Sequence, residues 1–243
     1  MLTGDKVETA TSIAISSGLK ARKNYLFFMR ELKGENEVIN RLQEVLKAVN
    51  NTTIIIDGMT LETVLNSQQA CDEFFNVAIK APCVCVCRCS PQQKAEVCKA
   101  LKQYTGGKRI AAIGDGGNDV SMIMEADVGI GIEGKEGLQA ALASDFSLKE
   151  FSQLRKLVLW HGRLSYRRSA VLSQFVFHRG LIISVIQAIF VILFYFVAIP
   201  IYNGFLMLGY ATIYTALPVF SLVFDTDTDM HSALQFPPLY KSL

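Results

Sequence analysis

Residues 109–123 read RIAAIGDGGNDVSMI, and this stretch decides the fold. A short apolar run, 109–113, meets three glycines that allow a sharp turn, and residues 117–125 then follow a helical spacing. A strand that turns through glycines into a helix is the repeating unit of a parallel α/β sheet, whose ligands sit beyond the carboxyl ends of the strands. Asp115, Asn118 and Asp119 emerge at that end. Two carboxylates and an amide are oxygen ligands of the kind that a hard cation such as Mg²⁺ takes.

The same alternation extends in both directions. Apolar runs at 24–29, 53–57, 82–88 and 127–132 predict strands, and helical patterns fall at 7–17, 36–49, 60–66, 70–79, 91–104 and 136–143. The expectation is an α/β domain with one parallel sheet and helices on both faces. Two more segments suit a phosphate site. Thr3-Gly4-Asp5-Lys6 offers a hydroxyl and glycine-flanked amides at the start of a helix. Lys94, in Ser90-Pro91-Gln92-Gln93-Lys94, lies in the first turns of the helix after the third strand. A hydroxyl, a lysine and a strand-end aspartate meet the needs of phosphoryl transfer: donors to the equatorial oxygens, and a metal to neutralise charge. Singly, each segment is an ordinary turn or a solvated helix residue. Their order and strand-end placement carry the joint reading.

Composition divides the chain. It has 243 residues, with 24 Lys and Arg against 22 Asp and Glu, yet residues 181–224 contain none of these four types. Residues 181–199 and 204–224 are each long enough for a membrane span, joined by the short link Pro200–Asn203. Arg163, Arg167, Arg168, His178 and Arg179 precede the first span, which places the N-terminal part in the cytosol by the positive-inside rule. A formal net charge of +2 leaves no electrostatic footprint for nucleic acid. Met1 leads into polar residues, so no secretory leader is expected. Cys83, Cys85, Cys87 and Cys89 alternate along one predicted strand, which puts every thiol on one face as buried, reduced cysteines.

MLTGDK followed by ETA, then RCSPQQK, then IGDGGNDVSMI, ahead of a stalk and two spans, resemble the second half of the phosphorylation domain of P-type ATPases. Ile56-Asp57-Gly58, Gly131–Gly137, His161-Gly162-Arg163, Tyr214-Thr215-Ala216-Leu217-Pro218 and Phe236–Tyr240 are similar to the phospholipid-flippase branch. The resemblance implies a haloacid-dehalogenase-like fold and an ATP-driven, Mg²⁺-dependent translocation of phospholipid toward the cytosolic leaflet through an aspartyl-phosphate. It implies Thr3, with Gly4 and Asp5, and Lys94 on the phosphoryl group, Asp115 with Asp119 at the metal, and Asn118 and Gly116 around the cofactor. The implied layout is a partial phosphorylation domain at 1–149, a stalk helix at 150–178, spans at 179–199 and 204–224, and a cytosolic tail at 225–243. Partners would be the rest of the pump, with its nucleotide-binding and actuator domains and other spans, and in some flippases an accessory subunit.

The sequence departs from that pattern twice. Where the family commonly carries Tyr-Lys-Asn near its fifth span, this chain has Phe177-His178-Arg179, similar to the Golgi and endosomal subgroup. The family's Asp-Lys-Thr-Gly nucleophile segment does not occur, so the chain is expected to be a piece of a pump and inactive alone. Asp225-Thr226-Asp227-Thr228-Asp229 follows a long apolar span and reads as an acidic loop. A polar track for a lipid head group is expected from His178, Gln187, Thr212 and Thr215, beside the break that Pro218 makes in the second span. Two rivals remain: a cation-transporting P-type ATPase, which needs intramembrane carboxylates that 181–224 lack, and a non-catalytic membrane protein derived from such a pump.

Overall fold

The computed structural model describes residues 1–134 and 138–242, so part of the Gly131–Gly137 segment and of the helix expected at 136–143 lies outside the described residues. The chain separates into two compact units, Met1–Phe151 and Ser152–Leu243.

The first unit holds six strands: β1 Tyr25–Met29, β2 Thr52–Asp57, β3 Cys83–Cys87, β4 Ala111–Gly114, β5 Val128–Ile132 and β6 Phe146–Leu148. Every pairing between them is parallel. They form two three-stranded sheets, β1-β2-β3 and β4-β5-β6, where one continuous sheet was expected. The backbone of Met1–Thr3 adds to the free side of β3, with the Thr3 N–H donating to the Val86 carbonyl at 2.9 Å. The sheets stay apart because this edge and β4 share no ladder; Leu2 instead packs against Cys98, Ala112 and Met122.

Strand β2 is central in its sheet, and Ile54, Ile55 and Ile56 are all fully buried. A strand covered on both faces needs no polar alternation, hence the unbroken TIIID run. On one face Met29, Ile54, Ile56 and Val86 meet Val38 and Leu42 of α2 (Glu35–Leu46), Leu61 and Val64 of α3 (Gly58–Asn66), and Phe74 and Phe75 of α4 (Gln68–Ala78). On the other, Ile55, Cys85 and Cys87 meet Val7, Ala10 and Ala14 of α1 (Val7–Ser16). Each large aliphatic or aromatic side chain removed from water here contributes about 1.5–3 kcal/mol.

The expectation that all four alternating thiols share a face is corrected. Strand β3 ends at Cys87, and Arg88 adopts a left-handed backbone with φ 51°. That reversal turns Cys89 into the α2–α4 cluster, while Cys85 and Cys87 face α1.

The second unit is helical from Leu154 to Leu193, with a wider π-type stretch at Leu157–Gly162. The expected span to residue 199 is also corrected. The helix stops at Leu193, and Tyr195 and Phe196 take left-handed backbone (φ 56° and 62°), which a helix cannot continue through. Helical structure resumes over Gly204–Phe224, and both apolar helices are long enough to cross a membrane. A second π-type stretch, Tyr210–Tyr214, precedes Pro218. The hydroxyl of Thr215 donates to the carbonyl of Tyr210 at 2.9 Å, so a side chain satisfies backbone near the break.

Candidate functional site

The Thr-Gly-Asp segment folds tightly at the carboxyl end of β3. The Thr3 hydroxyl donates to Asp5 Oδ2 at 2.9 Å and accepts the Asp5 N–H at 3.2 Å. Backbone bonds lock this turn to the strand: the Cys89 N–H donates to the Thr3 carbonyl and the Arg88 N–H to that of Asp5, both at 3.0 Å. One residue further, Ser90 caps α5 (Pro91–Tyr104) in a reciprocal box with Gln93, and Pro91 opens the helix where no N–H is required.

Lys94 lies one turn inside α5 and is only 7% exposed. A buried ammonium needs a partner, and Lys94 Nζ lies 2.7 Å from Asp119 Oδ1. Asp119 comes from the Gly-Asp-Gly-Gly-Asn-Asp turn after β4, where Gly117–Asp119 forms a short 3₁₀ turn before α6 (Val120–Glu125). A Cβ on Gly114 would sit 2.3 Å from Asp119 Cβ, so only glycine lets Asp119 fold back over the end of β4. Asp115 and Asn118 are exposed, Gly116 is buried, and Gly4 has open space around its Cα.

Thus the structure joins Lys94 to Asp119 and Thr3 to Asp5, and sets the Thr3 turn beside the cap of α5. No group of three or more His, Cys, Asp or Glu side chains that could hold a metal occurs among the described residues. A carboxylate pair fits Mg²⁺ in particular, because that ion keeps several waters and takes one or two protein carboxylates beside phosphate oxygens. One oxygen of Asp119 is already engaged by Lys94, whereas the Asp115 carboxylate is exposed.

The first sheet also ends in an open pocket of about 510 Å³ that the sequence reading did not anticipate, lined by Glu31, Asp57, Arg88 and Gln93 among others. Asp57 accepts the N–H of Thr60 and of Glu31, each at 3.0 Å, so its carboxylate is a cap that ties two strand ends together. The available signal was Asp57-Gly58 directly after a strand, an N-cap pattern.

In the second unit the acidic loop is held by arginines. Arg163 Nε and Nη2 lie 3.0 and 2.8 Å from Asp227 Oδ2, Arg167 also pairs with Asp227, and Trp160 Nε1 donates to the Thr228 carbonyl at 3.3 Å. The residues expected along a lipid track engage the hairpin itself. Gln187 donates to the Ile199 carbonyl at 3.1 Å and accepts the Ile201 N–H at 3.0 Å, stapling the turn. Thr212 bonds back to the Leu208 carbonyl, and the hydroxyl of Thr215, itself buried, accepts from Arg179 at 2.7 Å. His178 is exposed.

Strand-end carboxylates, one of them paired with a buried lysine, precede two apolar helices in the chain, and comparison with known proteins adds to this. Residues 141–243 match the family described as "Phospholipid-translocating P-type ATPase C-terminal". All 243 residues align at 52% identity with the human "Probable phospholipid-transporting ATPase IIB" and at 51% with the "Phospholipid-transporting ATPase NEO1" of Saccharomyces cerevisiae, covering 21% of each. The "Phospholipid-transporting ATPase 2" of Arabidopsis thaliana is 38% identical over 98% of the chain and 22% of its own length. The chain thus resembles phospholipid-transporting P-type ATPases over its whole length and spans about a fifth of the length of these relatives.

Proposed function

We propose that these residues are the Mg²⁺-binding half of a haloacid-dehalogenase-like phosphorylation domain, with its stalk and two spans, in an ATP-driven phospholipid flippase. The observation that carries the reading is the buried Lys94–Asp119 pair, whose lysine sits on the helix that Ser90 caps, directly after the Cys89 contact with the Thr3 turn. Asp119 holds the ammonium in place, so that Lys94 presents donors to a phosphoryl group, with the Thr3 hydroxyl as a further donor. Asp115 is the ligand for Mg²⁺, which neutralises charge on the phosphoryl oxygens when bound. The acceptor aspartate enters on a strand from the remainder of the pump and fills the space between the Leu2 edge and β4, completing one sheet. Its partners are that remainder, with the nucleotide-binding and actuator domains, and the phospholipid; an accessory subunit is compatible but not called for. The phosphorylation domain faces the cytosol, and Phe177-His178-Arg179 favours Golgi or endosomal membranes.

The test is a complete pump carrying this segment, purified and reconstituted in vesicles, with ATP-dependent loss of a fluorescent aminophospholipid from the outer leaflet as the readout. Movement that requires ATP and Mg²⁺ supports the reading; ATP-driven cation uptake without lipid movement refutes it. In the same pump, Gln187→Leu is expected to lower lipid-stimulated ATP turnover several-fold while leaving phosphoenzyme formation intact. Unchanged lipid stimulation would make Gln187 solely the staple of the 199–201 turn.

A further inference from the structure

We infer that Cys83 and Cys85 form a peroxide-responsive dithiol, in which Cys83 is oxidised by a hydroperoxide and Cys85 resolves it to a disulfide. Residues two apart on a strand have Cα atoms about 6.5–7 Å apart, at the upper limit of what a disulfide bridges. Here the side chains lean together, and the two sulfurs lie 3.7 Å apart. Their exposure differs in the sense the chemistry needs: Cys83 is half-buried and within reach of a small oxidant, whereas Cys85 is fully buried. The thiol hydrogen bond pushes the Cys83 pKa down against the effect of burial, and the same bond pushes Cys85 up. Cys83, the member of the pair that an oxidant can reach, is the attacking thiolate, and the buried Cys85 resolves it.

A second observation comes from the neighbouring strand. Thr53 is the register partner of Cys83 and is fully buried, and its hydroxyl is the one buried side-chain polar atom without a hydrogen-bond partner among the described residues. A spare hydroxyl next to Cys83 can donate to a thiolate or to the sulfenic oxygen. The remaining cysteines lack this combination. Cys87 faces α1 and Cys89 the opposite cluster, and burial raises both, Cys89 to about 11.

In the first step the Cys83 thiolate attacks a peroxide oxygen. An S–O bond forms, the O–O bond breaks, two electrons pass from sulfur to oxygen, and the departing hydroxide takes a proton to become water. In the second, the Cys85 sulfur attacks the sulfenic sulfur; the S–S bond forms, the S–O bond breaks, and the hydroxide leaves as water with the Cys85 proton. Cys83 begins β3, so it can be drawn inward at the expense of its pairing with Thr53.

The test uses the full chain, reduced and purified in detergent, exposed to hydrogen peroxide, blocked with N-ethylmaleimide and digested with trypsin. Cleavage after Lys80 and Arg88 yields the peptide 81–88, which holds Cys83, Cys85 and Cys87 without Cys89. The expected product carries one maleimide, on Cys87, and the loss of two hydrogens, about 2 Da, assigned by fragmentation to a Cys83–Cys85 bridge and reversed by dithiothreitol. Cys85→Ser should leave Cys83 as a sulfenic acid trapped by dimedone, and Cys83→Ser should abolish the bridge. Three maleimides on the wild-type peptide after oxidation, a bridge that uses Cys87, or an undiminished loss of thiols in Cys83→Ser would overturn the inference. The wild-type fragmentation decides the matter even if a variant fails to fold.

Discussion

Lys94→Met is expected to abolish phosphoenzyme formation in a complete pump carrying this segment and to destabilise this chain by about 3–5 kcal/mol, the cost of removing one partner from a buried ion pair. Both side chains are nearly excluded from water, at 9% exposure for Lys94 and 13% for Asp119, so the carboxylate left behind is neither paired nor well hydrated. Methionine fills the volume of the lysine stem, so the loss comes from charge rather than from a cavity. Acid-stable ³²P incorporation from ATP into the pump reads the first effect, and thermal unfolding of the purified chain reads the second. Lys94→Arg separates them: the charge is kept and most stability returns, but the broader guanidinium displaces the donors and phosphorylation stays low. A Lys94→Met pump with normal phosphoenzyme levels would remove Lys94 from the site and reduce it to a structural lysine.

Asp227→Asn should release residues 225–240 from the helix that carries Arg163 and Arg167. Arg163 is 9% exposed and binds Asp227 through two nitrogens, and it also donates to the Leu239 carbonyl. Neutralising Asp227 leaves two guanidinium groups facing each other without a counterion. The expected loss is again about 3 kcal/mol, most of it from Arg163, because Arg167 is half-exposed and its share is screened. Asp229→Ala is the control. Asp229 accepts the His231 N–H at 3.1 Å as an N-cap, a contact whose loss costs about 1 kcal/mol. Hydrogen exchange across 225–240 should accelerate far more in Asp227→Asn than in Asp229→Ala. Equal acceleration would mean that the helix cap, and not the arginine clamp, holds this segment.

The two predictions differ in how far their residues could be read beforehand. Lys94 and Asp119 were each singled out from local patterns, one in the first turn of a capped helix and the other in a glycine turn after a strand. Nothing local said that they touch, since they lie 25 positions apart and meet only when α5 packs beside the β4 turn. The clamp on Asp227 was less visible still. Arg163 looked like one of several basic residues before a span, and its contact reaches 64 positions along the chain.

Local sequence patterns specify the order and type of most elements in the first unit. Period-two and period-3.6 apolar patterns and glycine turns are written into neighbouring residues, and the five expected strands all appear within a residue or two of their ranges. Local patterns missed β6, Phe146–Leu148, because three residues are too few to show a period, and likewise the six-residue helix Met230–Gln235 in the expected tail. Tertiary structure alone decided that the strands divide into two sheets, that Cys89 leaves the row of thiols, that the first long helix stops at Leu193, and which charges pair. The physical reason is common to all four. Each depends on a backbone reversal or an approach between distant segments, whose free energy comes from burial and pairing with groups that local sequence does not name.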